Sequence, residues 1–287
     1  MLTHQRIFSA DDEGRSLVRP FIKNPSGVTT SGISIDLTFF GRYPAANYMA
    51  DGTPNAFRAL KRSTDGGLDH GGDKGSSFRK YLAKITASCS TTTPLPLRLM
   101  VMDYVGFYPL IGMEDIQEMD NTIPLPRYAD GSGVQIMLVS QFPYTGGGTL
   151  QITYTNQDGV AGRVTPIVTT NTSQILGNVA NSNNATTART GIFIPLKGMD
   201  SGVQSIQSIN FITPDTGNVA AVMVRPLSPQ LCIYDFTTPT EWDLWNDLGW
   251  LPVIEDDAYI SLVCTPSGSL NTVVVEGMMK TIWIESE

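Results

Sequence analysis

TLQITYTNQDGVAGRVTPIVT, residues 149–169, decides the fold class. It reads as two strands, 149–155 and 163–169, separated by Asn156-Gln157-Asp158-Gly159. The Asp-Gly pair is a hairpin signal, because a tight turn between twisted strands needs a residue that accepts positive φ. The same punctuation recurs on both sides. Gly146-Gly147-Gly148 and Pro266-Ser267-Gly268 make further turns, and strands are expected at 97–105, 134–142, 203–213, 219–225, 258–264 and 272–284. Many short strands between Gly and Pro turns point to a mainly β chain whose body, 95–287, is a jelly-roll-like β-sandwich.

Upstream of that body the pattern differs. Residues 33–39 alternate, with Ile33, Ile35, Leu37 and Phe39 on one face, as in a half-buried strand. Thr53 and Pro54 resemble a helix start for 54–62. Residues 77–88 place Phe78, Leu82 and Ile85 at helical spacing, so one or two short helices are expected in 33–94. Between them TDGGLDHGGDKGSS, 64–77, reads as a flexible, solvated loop reaching a neighbouring subunit. Residues 1–32 carry Pro20, Pro25 and Gly27 with little periodicity, the composition of an extended N-terminal arm. Residues 240–250 allow one or two helical turns that bring Trp242 and Trp245 to cover.

Only 16% of the 287 residues are charged, against about 25% in an average soluble domain. The remaining polar surface is rich in hydroxyls and amides, which cost less to bury than charges and so suit subunit contacts. Charge is uneven: residues 1–84 hold 12 Lys or Arg against 8 Asp or Glu, and residues 85–287 hold 7 against 19. A basic leading segment and an acidic body favour head-to-tail docking between copies. The acidic body argues against direct nucleic-acid binding. Cys89, Cys232 and Cys264 fit no zinc or CxxC spacing. No apolar run approaches the roughly 20 residues of a membrane span, and the first residues lack a signal-peptide core. Synthesis in a reducing cytoplasm is expected.

No GxSxG, HExxH, P-loop or dinucleotide fingerprint is present. The two histidines are His4 and His70, neither set against a rigid nucleophile. Among Asp65, Asp69, His70 and Asp73 the three carboxylates offer oxygen ligands for a hard cation, but without the spacing of a calcium loop. Glu255-Asp256-Asp257 offers carboxylates for glycoside chemistry, but neighbours in sequence point different ways. The expectation is no enzyme, no cofactor, and no metal.

Four stretches resemble tailed-phage virion proteins encoded beside the capsid genes: IPLPRYADGSGVQIMLVSQFP (123–143), TYTNQDGVAGRVTP (153–166), GIFIPLKGMDSGVQSI (191–206) and DAYISLVCTPSG (257–268). The resemblance implies a head-associated structural protein of the virion, made in the bacterial host. The expected role is decoration or cementing, with copies of itself, as a trimer, and the major capsid protein as partners. Arg6, Arg15, Arg19, Lys23, His70, Trp242 and Trp245 are the expected subunit contacts. Removing residues 1–25 is expected to leave a folded body that no longer binds heads. The alternatives are a shell-forming major capsid protein, which commonly has a long spine helix not evident here, and a carbohydrate-binding head or fibre module.

Overall fold

The computed structural model describes residues 4–25, 31–172, 175–182 and 191–286. Nine strands of six residues or more carry the fold: β1 (Ser16–Lys23), β2 (Phe78–Cys89), β3 (Leu97–Gly112), β4 (Gln135–Phe142), β5 (Thr149–Asn156), β6 (Val203–Thr213), β7 (Asn218–Pro226), β8 (Ile260–Thr265) and β9 (Val275–Glu285). They form three antiparallel sheets in a sandwich-like arrangement, with short pieces extending the edges. The first sheet runs β2-β9-β1, the middle sheet β8-β3-β7-β4, and the third pairs β5 with β6. Each of the body strands expected from the sequence is present, with 163–169 divided into Arg163–Val164 and Val168–Thr169.

The middle sheet is buried on both faces. Along β7, Ala220, Val222 and Val224 enter the core shared with the first sheet, while Val219, Ala221 and Met223 enter the core shared with the third. Met137 and Val139 of β4 face one way, Ile136 and Leu138 the other. That is why the buried stretch of β7, residues 219–224, reads VAAVMV with no polar position: two-sided burial removes the alternation that a half-exposed strand shows. Each fully buried aliphatic side chain contributes about 1.5–3 kcal/mol, so a sheet that feeds two cores is stabilised from both faces.

One charge pair stands inside. Asp103 on β3 is fully buried, and Arg127 grips it through Nε (2.9 Å) and Nη2 (2.7 Å). Arg127 also donates to the carbonyls of Leu60 (2.9 Å), Tyr104 (3.1 Å) and Asp257 (3.3 Å), so every guanidinium N–H is used. Burial pushes the Asp103 carboxyl up, against the pull of Arg127.

Four expectations are corrected. The segment 1–32 is not a free extended arm. His4–Asp12 is a helix, and β1 pairs with β9 from Ser16↔Ile282 to Lys23↔Val275. Residues 1–3 and 26–30 lie outside the described set. The helix expected at 77–88 is strand β2, which carries a bulge at Ala83, where β9 passes from Lys280↔Lys84 to Thr281↔Leu82. The bulge puts Leu82 and Ile85 on the same inward face three residues apart, a spacing that imitates a helix. Residues 54–61 form turns and the short strand Arg58–Ala59, laid on Phe107 and Gly106 of β3, and a helix, Arg62–Asp65, begins only where the expected one was to end. Residues 33–39 are buried on both sides, with Ile35–Asp36 in the middle sheet and Leu37–Phe39 in a 3₁₀ turn.

Two outcomes follow. Deleting residues 1–25 strips β1 from β9 and uncovers the first core, so the truncated chain should unfold at lower temperature or fail to fold. A truncated chain that melts like the intact one would contradict the pairing. Asp103→Ala or Arg127→Ala should each cost about 3–5 kcal/mol in chemical denaturation, because each strands a buried charge. The double change Asp103→Leu with Arg127→Met should cost less than either single change.

Candidate functional site

The glycine-rich segment after Asp65 is a strap tied to the first sheet by its own charged groups. Leu68 and His70 are both fully buried. Asp69 accepts from Arg19 (2.8 Å) and Arg62 (3.2 Å), and the Arg19 hydrogen bond holds its carboxyl below the usual range. Asp65 pairs with Arg58 at 2.6 Å and Asp73 with Lys80 at 2.8 Å. Gly71, at φ +79°, lies so close to Trp283 and Leu17 that a Cβ would fall 2.6 Å from the indole. Trp283 Nε1 in turn donates to the carbonyl of Gly72. Leu68 to Gly71 are therefore packed inward, while residues 72–77 remain exposed to solvent.

At its centre Lys80 Nζ donates to His70 Nδ1 (3.1 Å), and His70 Nε2 faces the carbonyl of Ala258 (2.9 Å). A lysine donating to Nδ1 fixes the neutral tautomer with the proton on Nε2. Burial and the Lys80 charge push the imidazole down to about 4. Both ring nitrogens are engaged, so neither is placed to take a proton from a substrate. Asp256 hydrogen-bonds Asp73 and is pushed up by it, while Lys80 draws Asp73 down against its partial burial. Asp257 instead caps Ser63, accepting from its N–H and hydroxyl at 2.7 Å each. The carboxylates singled out for a cation are thus each held by a cation of the chain itself. Among the described residues no group of three His, Cys, Asp or Glu is arranged to hold a metal ion.

The expected contact residues divide by position. Arg6 donates to the carbonyl of Glu285, and Arg15 to that of Trp283. Lys23 is fully buried, donating to Phe40 O (3.0 Å) and Pro44 O (2.6 Å), and burial brings its amine down to about 8. Lys23 and His70 are therefore interior groups, not surface contacts. Trp242 and Trp245 are half-buried against the first core. Arg19 is part-exposed and is paired with Asp69.

The stretches 123–143, 153–166 and 191–206 converge on one corner between the middle and third sheets. Val203 N–H donates to Val134 O (3.1 Å), Gln157 N–H to Gly202 O (3.1 Å), and Arg163 forks onto Asp200 at 2.8 and 3.1 Å. Any Cβ on Gly202 would lie 2.0 Å from the carbonyl oxygen of Gly131, so only glycine lets the two loops touch. The stretch 257–268 joins through Asp257 O, which accepts from Arg127.

The outer faces of the first and third sheets differ in chemistry. The register of the first sheet lines up Val18, Lys280, Lys84 and Asp243, then Pro20, Met278, Thr86 and Glu241. That is the mixed charged surface of a solvated sheet. Across the third sheet the rows are Ile116, Asn210 and Gln151, then Glu118, Ser208, Thr153 and Val164. Ser205 beside Thr155, and Thr213 beside Thr149 and Thr169, complete it. Glu118 is the one charged side chain in these rows. Ile116 is 57% and Val164 37% exposed, with Ile212, at a bulge of β6, 46% exposed. Sequence reasoning found the low charge but not its location, because only strand register shows which residues share a face.

Asp36 gives the buried groups a pH dependence. It is fully buried, accepts from Thr38 N–H and Tyr104 Oη (2.8 Å each), and is pushed up to about 6 by burial. A folded carboxyl raised above its unfolded value stabilises most below about pH 4 and loses that contribution as pH rises through about 6. His70, lowered from 6.5 to about 4, does the reverse: its contribution is full above about pH 6.5 and is lost as pH falls through 4. Each is worth about 3 kcal/mol and they oppose one another over the same window. The stability difference between the unaltered chain and His70→Gln should therefore grow from pH 4 to 6.5, and that for Asp36→Asn should shrink. Urea titrations at several pH values read both slopes, and parallel curves for all three proteins would contradict the assignment.

No family model matches the chain, and no curated protein matches it in sequence. Solved structures found to be similar include infectious bursal disease virus Gt strain, at 9% identity over 95% of this chain and 82% of that chain, with TM-score 0.17. Another is the D431N mutant VP2 protein of the same virus in derived T=1 particles, at 11% identity over 95% and 79%, with TM-score 0.19. Similarity at this level carries no argument about fold or function.

Proposed function

We propose that this chain is a non-enzymatic structural protein of a tailed-phage particle, a head component that works by packing against copies of itself and the major capsid protein. The observation that carries the reading is the outer face of the third sheet, hydroxyls and amides with Glu118 as its single charge in the register rows. Soluble sheets normally keep an open face charged, which discourages association. An uncharged polar face can be buried at low desolvation cost while its amides still find partners. The stretches similar to phage virion proteins meet in the same part of the molecule, at the corner where β6 begins.

Decoration is favoured over shell formation by helix length: among the described residues the longest helix is His4–Asp12, nine residues. A small closed oligomer, such as the trimer expected from the sequence, repeats one contact without leaving an open face. No helix among the described residues is long and apolar enough to cross a membrane.

Gel densitometry of purified particles tests the proposal. The expected outcome is a band for this chain in fixed ratio to a distinct, more abundant shell protein. If this chain were the most abundant head protein, the shell reading would replace decoration. Its absence from washed particles would overturn the proposal.

A further inference from the structure

We infer that the uncharged outer face of the third sheet stacks on the same face of a second copy of this chain, about a two-fold axis. The inference rests on the particle reading above, which brings many copies together, and names the partner at that face.

Other occupants fit less well. The rows across β5 and β6 hold no Lys or Arg for a nucleic-acid backbone, and no aromatic side chain on which a sugar ring could stack. A partner of opposite charge would find only Glu118 to pair with. A second copy meets none of these obstacles. The chain carries a net charge of −8, so two copies repel wherever acidic surfaces approach. Meeting through the neutral face keeps those surfaces apart. The face is also self-complementary, because Gln151 and Asn210 each present both donor and acceptor, and Thr and Ser hydroxyls do the same. Ile116, Val164 and Ile212 are exposed on or beside it, so stacking also removes apolar area from water. A face that meets itself must do so about a two-fold axis, which replaces the expected three-fold contact at this surface.

Sedimentation of the purified full-length chain across a concentration range tests the inference. The unaltered chain should pass from one copy to two. Thr155→Lys with Asn210→Lys places like charges on both facing sheets and should weaken association at least about tenfold. A control pair on the first sheet, Thr86→Lys with Ile22→Lys, should leave it unchanged. Should the lysine variant fold poorly, Thr153→Cys at the middle of β5 gives a second readout: mild oxidation should link two copies, and the unaltered chain should not link. A single-copy unaltered chain at every concentration, an undiminished lysine variant, or assembly as trimers would overturn the inference. Particles that contain the chain and accept the lysine variant normally would sink this contact while leaving the particle role standing. Pairing in solution with absence from particles would do the opposite.

Discussion

The rest of the fold depends on the Asp103–Arg127 pair, because it fixes where four otherwise unrelated segments meet. A sheet covered on both faces has few places for a charge, and an isolated carboxylate there would be strongly disfavoured. Arg127 resolves this with a rigid fork: two N–H groups to the carboxylate and three contacts to backbone carbonyls from the 60s, from β3 and from the turn before β8. A lysine has neither the planarity nor enough donors to do the same. The pair need not be a large net source of stability, since desolvation offsets much of its attraction. Its effect is positional. It holds the loop that begins at residue 123 against the middle sheet, and that loop leads to Gly131 and the corner where β6 starts.

Legibility in the sequence followed the physics of each element. Strands with a turn on each side, such as β5 and β6, were readable from alternation and punctuation alone. Strand β2 was not, because the bulge at Ala83 changes the phase of its pattern midway, and a short window then fits a helix as well as a strand. The arm was misread for another reason: β1 is held by a partner nearly the whole chain away, and no local signal encodes such pairing. In the glycine-rich strap, composition concealed two anchors, Leu68 and His70, whose burial depends on the surface they land on. Of the expected contact residues, Lys23 and His70 turned out to be interior. A lone basic residue in a sequence does not reveal whether carbonyls or water will receive it.

The uneven charge along the chain has an intramolecular resolution. Much of the basic leading segment is spent on the chain's own acids and carbonyls: Arg19 and Arg62 on Asp69, Lys80 on Asp73, Lys84 on Glu241, and Arg6 on the backbone of Glu285. Basic groups that the charge pattern assigns to a neighbouring copy are paired in cis. The neutral face of the third sheet points the search for contacts with a neighbour toward amides and hydroxyls instead of ion pairs.

The pairing of β1 with β9 also orders events in time. Strand β1 is synthesised long before the neighbour that completes its ladder, residues 275–285. Until that strand is made, the inner side of β1 has no sheet to join, and Phe21 has only a partial core to enter. Contacts of such long sequence separation form late and slowly. The first sheet therefore closes only once residues 275–285 have been translated, whereas every strand of the third sheet has been made by Thr213, so the two outer sheets complete at different points of synthesis.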